Sequence, residues 1–188
     1  TPKTTQLDLP QLAYDGTWNP RAGALEELGR EVRLRSRVEP VQTPTVVRPG
    51  DAALFHTPFL WVAGGDALPP FDPSALRRLR RFIDLGGLMV FDDASGGSAP
   101  DFRRSVLELS EQLAPSTPMR EVTPEHVVYR SFYLVDRAYG RTDFGPPLLG
   151  VHDAGRLKML FVPGDLGGAF SRDLRGSYRY PCNPGGPS

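Results

Sequence analysis

The chain has 188 residues, and its 22 basic and 22 acidic side chains cancel to a formal charge of zero, so no global field draws it to nucleic acid or anionic lipid. Its length suits a single α/β domain over residues 1–188 that buries roughly 70% of the surface its unfolded form exposes, and no apolar run reaches the ~18 residues needed to cross a bilayer. Cys182 is the only cysteine, which excludes an internal disulfide and a multi-cysteine zinc site.

Leu7 to Tyr14 predicts a first strand, interrupted by Pro10. Asn19-Pro20 then supplies an N-cap and a proline at the first helical position. Leu25, Leu28 and Val32 follow at helical spacing, with Gly29 weakening that helix by about 1 kcal/mol relative to Ala. Val38 to Val47 is a proline-broken stretch that predicts an edge strand. Ala52 to Ala63 predicts an interior strand that contains His56 and is broken by Thr57-Pro58. Asp72-Pro73 repeats the cap-plus-proline signal and opens a helix with Leu76, Leu79, Phe82 and Ile83 on its buried stripe, closed by Gly86.

Leu88–Phe91 is apolar without alternation, the pattern of a strand covered on both faces, and Asp92-Asp93 stands where the run stops. A further helix starts near Asp101. Val127 to Val135 is rich in aromatic and β-branched residues and predicts a strand. Leu148–His152 and Leu157–Val162 flank Asp153-Ala154-Gly155, a hairpin signal. Residues 178–188, rich in Pro and Gly, read as a loosely ordered tail. Together these elements predict an α/β sandwich with a mostly parallel sheet, helices on both faces and a C-terminal antiparallel hairpin.

Three strand exits share one composition: Gly64-Gly65-Asp66, then Asp92-Asp93 leading to Gly96-Gly97, then Gly164-Asp165. If their strands are parallel neighbours, these loops crowd the sheet's carboxyl edge, where α/β folds bind ligands. Gly and Asp are also ordinary turn residues, which tolerate left-handed backbone and supply caps, so turn chemistry and a crevice are both open readings. Asp92 and Asp93 point to opposite sheet faces. One acid caps the following loop and the other faces the crevice.

No ligand-spacing motif supports a metal, and no cofactor motif is present. Gly96-Gly97 lacks the Gly-Lys-Ser/Thr of a phosphate loop. Cys182 lies outside any strand-to-helix elbow, and Gly-x-Ser-x-Gly is absent. Among the histidines, His56 reads as a hydrogen-bonded core or edge residue and His152 as exposed beside the hairpin turn. His126 is kept as a candidate acid–base or ligand group. Arg77, Arg78, Arg80 and Arg81 form a row that reads either as a solvated helix face or as a contact for an acidic partner. Trp18, Trp61, Tyr129, Phe132 and Tyr133 read as core and rim.

The ordered set Tyr14-Asp15-Gly16-x-Trp18-Asn19-Pro20, Leu54-Phe55-His56-Thr57-Pro58-Phe59-Leu60, Leu85-Gly86-Gly87-Leu88, Asp92-Asp93, His126 and Gly164-Asp165-Leu166 resembles bacterial DUF4159 domains. The resemblance runs from about Leu7 to the tail. It implies a flavodoxin-like, class I glutamine-amidotransferase-like fold in an exported or envelope-associated protein, and it carries no established activity. The chain departs from amidotransferases in having no cysteine in a Gly-x-Cys-x-Gly elbow, which argues against thiolate-driven glutamine hydrolysis. It also implies a final helix after the last loop, a closing element that is missing here or supplied by a longer parent; separately, the start at Thr1 reads as a removed leader or as a beginning inside a longer protein.

Three functions remain in contention. The first is a non-catalytic domain binding a protein partner or small ligand through Gly64, Gly65, Asp66, Asp92, Asp93, Gly96, Gly97, Gly164 and Asp165. The second is a hydrolase using Asp92 or Asp93 with His126 and Asp165, which requires those groups around one reacting atom. The third is a structural module whose helix arginines meet an acidic neighbour.

Overall fold

The computed structural model describes residues 6–36, 38–123, 125–130 and 147–180. Among them, β1 (Gln11–Leu12), α1 (Ala24–Arg35), β2 (Val46–Val47), a 3₁₀ turn (Ala52–Phe55) and β3 (Phe59–Gly64) lead into α2 (Pro73–Asp84). Next come β4 (Leu88–Asp93), α3 (Pro100–Leu113), β5 (Arg120–Glu121), α4 (Val127–Arg130), β6 (Leu149–Asp153), β7 (Arg156–Val162) and α5 (Leu166–Phe170). The strands form one mixed sheet in the order β2-β1-β3-β4-β7-β6-β5, parallel from β2 to β7 and antiparallel from β7 to β5.

The covered-strand reading of β4 explains the layers. Met89 and Phe91 join Leu60, Val62, Met159 and Phe161 under α2 and α3. Val90 points the other way, with Trp61, Ala63, Leu160 and Val162, toward Leu25 of α1 and Leu166 of α5. Asp72 caps α2 by accepting from the Ser74 and Ala75 N–H groups, and Leu79, Phe82 and Ile83 are buried beneath it, each contributing about 1.5–3 kcal/mol. Gly86, at φ 113°, ends the helix. At Gly87 a Cβ would lie 2.4 Å from the Phe82 ring, so β4 starts directly under α2.

Several predicted elements differ in extent. The first strand shrinks to Gln11–Leu12 because Pro10 has no N–H for the ladder, although its carbonyl accepts from Trp61 N–H at 2.8 Å. Residues 38–47 keep an isolated bridge at Pro40 and the two residues of β2. The run from Ala52 is not continuous: the 3₁₀ turn comes first, His56 follows it exposed to solvent, and the strand begins only after Pro58. Helix α1 starts at Ala24, after Gly23 at φ 84°, instead of at Pro20. At Gly29 a Cβ would stand 3.1 Å from Pro40 Cβ, so the glycine serves close packing.

The strand expected from Val127 is a helical turn over Val127–Arg130, and residues 131–135 with Phe132 and Tyr133 lie outside the described residues. The hairpin over Ala154-Gly155 forms as expected. Tyr178 bridges back to Arg172, and the Tyr180 ring stacks on the Arg21 guanidinium, which ties the start of the C-terminal segment to the fold. Cys182 lies outside the described residues.

Candidate functional site at the carboxyl edge of the sheet

β3, β4 and β7 are parallel neighbours, with Gly64 beside Asp93 and Asp92 beside Val162. Their three glycine–aspartate exits therefore meet at one rim. The backbones come close there: a Cβ on Gly65 would lie 3.9 Å from Ser95 N, and Ala94 N–H donates to Gly64 O at 2.9 Å.

The three rim carboxylates are buried, and each is held by the fold itself. Asp92, on the α1/α5 face, accepts from Leu166 N–H and Gly167 N–H, both at 2.8 Å. Asp93, on the opposite face, accepts from the Ser95 N–H at 2.9 Å and its hydroxyl at 2.6 Å, closing the loop that follows. Asp165, in left-handed backbone at φ 53°, accepts from Gly168 N–H. It also takes both arms of Arg21, Nε at 2.9 Å and Nη2 at 2.8 Å. The same Nη2 donates to Ala94 O at 2.8 Å. One guanidinium thus joins the exits of β4 and β7 to the segment before α1.

Electrostatics follow from this crowding. Burial pushes the Asp92 pKa up to about 7, the two backbone N–H groups pull against it, and the Asp165 and Asp93 charges add to the rise. Burial also raises Asp93, opposed by its bonds to Ser95 and Gly97. Tyr14 is raised too, through burial and the Asp66 charge. It stays protonated and donates to Ala63 O at 2.7 Å, with Thr17 O at 3.1 Å.

The glycines serve this packing in different ways. A Cβ on Gly64 would lie 2.5 Å from Phe102 Cε2 and 2.6 Å from the Tyr14 hydroxyl, and one on Gly168 would lie 2.3 Å from Asp165 Oδ2. Gly164 is buried, while Asp66 and Gly97 are exposed. Gly96 and Gly97 both take positive φ, 64° and 83°, in the turn after β4.

His126 does not join this rim. Its ring packs on His152, which pairs with Leu157 near the start of β7, five positions before Val162, or about 16 Å along the strand. Among the described residues no group of three or more His, Cys, Asp or Glu side chains is arranged to hold a metal ion, and no helix is long and apolar enough to cross a membrane.

An open groove of about 360 Å³ lies on the same edge, beside the acids. Asp15 after β1, Arg48 and Gly50 after β2, and Pro70, Phe71 and Ser74 around the start of α2 contribute to its lining. Arg78 forms part of its wall and is committed to the Pro49 and Asp51 carbonyls. Arg48 meets Asp15 at 3.3 Å, with both side chains largely in solvent. Neither this groove nor Arg21 is a residue pattern that sequence reasoning isolated. Arg21 directly follows the Trp18-Asn19-Pro20 motif, whose turn delivers it to Asp165, and that motif was the available signal.

Comparison with known proteins gives one positive finding. No curated protein matches the sequence. A family model described as a domain of unknown function, DUF4159, matches residues 8–184, nearly the whole chain. The chain belongs to the DUF4159 family.

Proposed function

We propose that this is a non-catalytic binding domain, which seats a small ligand or a segment of a partner protein at the carboxyl edge of its sheet. The observation that supports it is the state of the rim: Asp92, Asp93 and Asp165 are spent on α5, Ser95 and Arg21, while the groove between Asp15, Arg48 and Phe71 lies open beside them. Such a groove, at the point where the chain order reverses between β1 and β3, is where open α/β sheets bind ligands. The hydrolase alternative needs His126 at the rim, and His126 stands at the other end of β7.

The flavodoxin-like, class I amidotransferase-like classification belongs to the same proposal. It is supported by the β2-β1-β3-β4 order with helices on both faces. An exported or envelope-associated setting follows from the family resemblance. The arginine row, as an acidic-partner contact, loses weight because Arg78 and Arg80 donate to backbone carbonyls of the domain itself.

A thermal-shift screen with amino acids, dipeptides and mononucleotides tests the binding reading. Compounds that stabilise the wild-type domain should fail to stabilise Ser74→Trp, which fills the groove from an exposed helix position. Equal stabilisation of both proteins would contradict the proposed seat.

A further inference from the structure

His126 and His152, 26 positions apart, bring their Nε2 atoms to 2.9 Å, with ring centroids 4.7 Å apart and planes at 70°. Val128 N–H donates to His126 Nδ1 at 3.2 Å. That nitrogen therefore carries a lone pair, and in the neutral ring the proton sits on Nε2. His126 Nε2–H then donates to His152 Nε2, which leaves the His152 proton on Nδ1. The direction of these bonds opposes a shared metal, which would require a lone pair from each Nε2. It also requires His152 to be neutral, since a charged His152 presents an N–H at Nε2. A proton added to His152 enters Nε2 and confronts the His126 N–H, whereas one added to His126 enters Nδ1 and displaces only the Val128 N–H, leaving the Nε2–H bond to His152 in place.

We propose that the His126–His152 pair is a proton-operated clasp, closed while His152 is neutral, which fastens the start of α4 to the β5–β6 corner and lets it go when His152 is protonated. The corner is shaped for it. A Cβ on Gly150 would lie 3.2 Å from His152 Cε1 and nearer still to Leu157 and Val122, so the glycine gives the ring its place. Burial, and then the facing His126, hold the His152 pKa below its ordinary value.

The charged groups around the pair are Glu125 beside His126, Arg120 and Glu121 on β5, and Asp153 on β6. Arg120 stands opposite Gly150. Asp153 is held by Lys158 at 2.6 Å, and Arg156 of β7 donates to the Ile83 and Gly87 carbonyls, away from the histidines.

Imidazole nitrogen spectra of the ¹⁵N-labelled protein test the clasp. Near neutral pH, His126 should appear as the Nε2–H form and His152 as the Nδ1–H form. On acidification His152 should take up its proton in a step below 6.5, the ordinary histidine value. Protection of the Val128 amide from exchange, corrected for its intrinsic rate, should fall about tenfold per pH unit beneath that step. His126→Ala should return the exposed His152 toward the ordinary range, and the wild-type tautomers carry the test if that variant folds poorly. Opposite tautomers, or a His152 titration unaltered by loss of His126, would overturn the clasp. So would stoichiometric zinc uptake at neutral pH that shifts both Nε2 signals.

Discussion

Replacing Asp92 by Asn separates the buried proton from the hydrogen bonds around it. In the folded chain the Asp92 pKa rises from 3.8 to about 7, chiefly through burial, so the native state holds this proton more tightly than the unfolded state does. The resulting stabilisation is complete below 3.8 and declines by about 1.4 kcal/mol per pH unit as pH rises, disappearing above about 7. Across that interval the effect is on the order of 4 kcal/mol. The Asn side chain carries no such proton. It turns an N–H toward one of the two backbone donors at Leu166 and Gly167, which costs about 1–3 kcal/mol. Asp92→Asn should therefore be less stable than wild type by about 1–3 kcal/mol near pH 4, with the gap closing between about pH 4.5 and 6 and reversing in favour of the variant by about 1–3 kcal/mol at and above neutral pH. Urea unfolding across this range measures it, as a change in midpoint at constant slope. Parallel pH profiles for the two proteins would refute the assignment of a protonated, buried Asp92.

Arg21→Met leaves the Asp165 carboxylate buried and unpaired, so urea unfolding should show a loss of about 3–5 kcal/mol. Adding Asp165→Leu to that variant should recover part of the loss, whereas simple additivity would deny the coupling. Gly64→Ala forces a methyl against Phe102 and Tyr14, and thermal melts should report a cost of about 1–3 kcal/mol. Asp72→Ala removes the side chain that accepts from Ser74 and Ala75, for about 1 kcal/mol on the same scale. Ser74→Trp, at an exposed position of that helix, should stay within about 0.5 kcal/mol of wild type.

The parts of the fold legible in the sequence are those where local and tertiary signals agree. Asp72-Pro73, the stripe from Leu79 to Ile83 and Gly86 define α2 from cap to stop, and the uniform apolar run of β4 announces its two covers. Where the signals conflict, tertiary contacts decide. Val127–Arg130 has strand-forming side chains, yet the Thr123 carbonyl accepts from His126 N–H and the His126 ring accepts from Val128 N–H, winding the segment into a turn. Helix α5 is hidden in a glycine-rich stretch, since its first turn is satisfied by Asp92, 74 positions earlier. For the candidate site, the split of Asp92 and Asp93 between opposite faces follows from strand geometry. The capture of Asp165 by Arg21, 144 positions away, has no local signature.

Amide shift mapping with a compound that stabilises the domain tests the central claim most directly, namely that the rim acids are architecture and the neighbouring groove is the seat. The account predicts that the perturbed amides cluster at Asp15, Gly50, Phe71 and Ser74, with Ser95, Gly97 and Gly168 unmoved. A cluster on Ser95, Gly97 and Gly168 instead, with the groove amides silent, would contradict it.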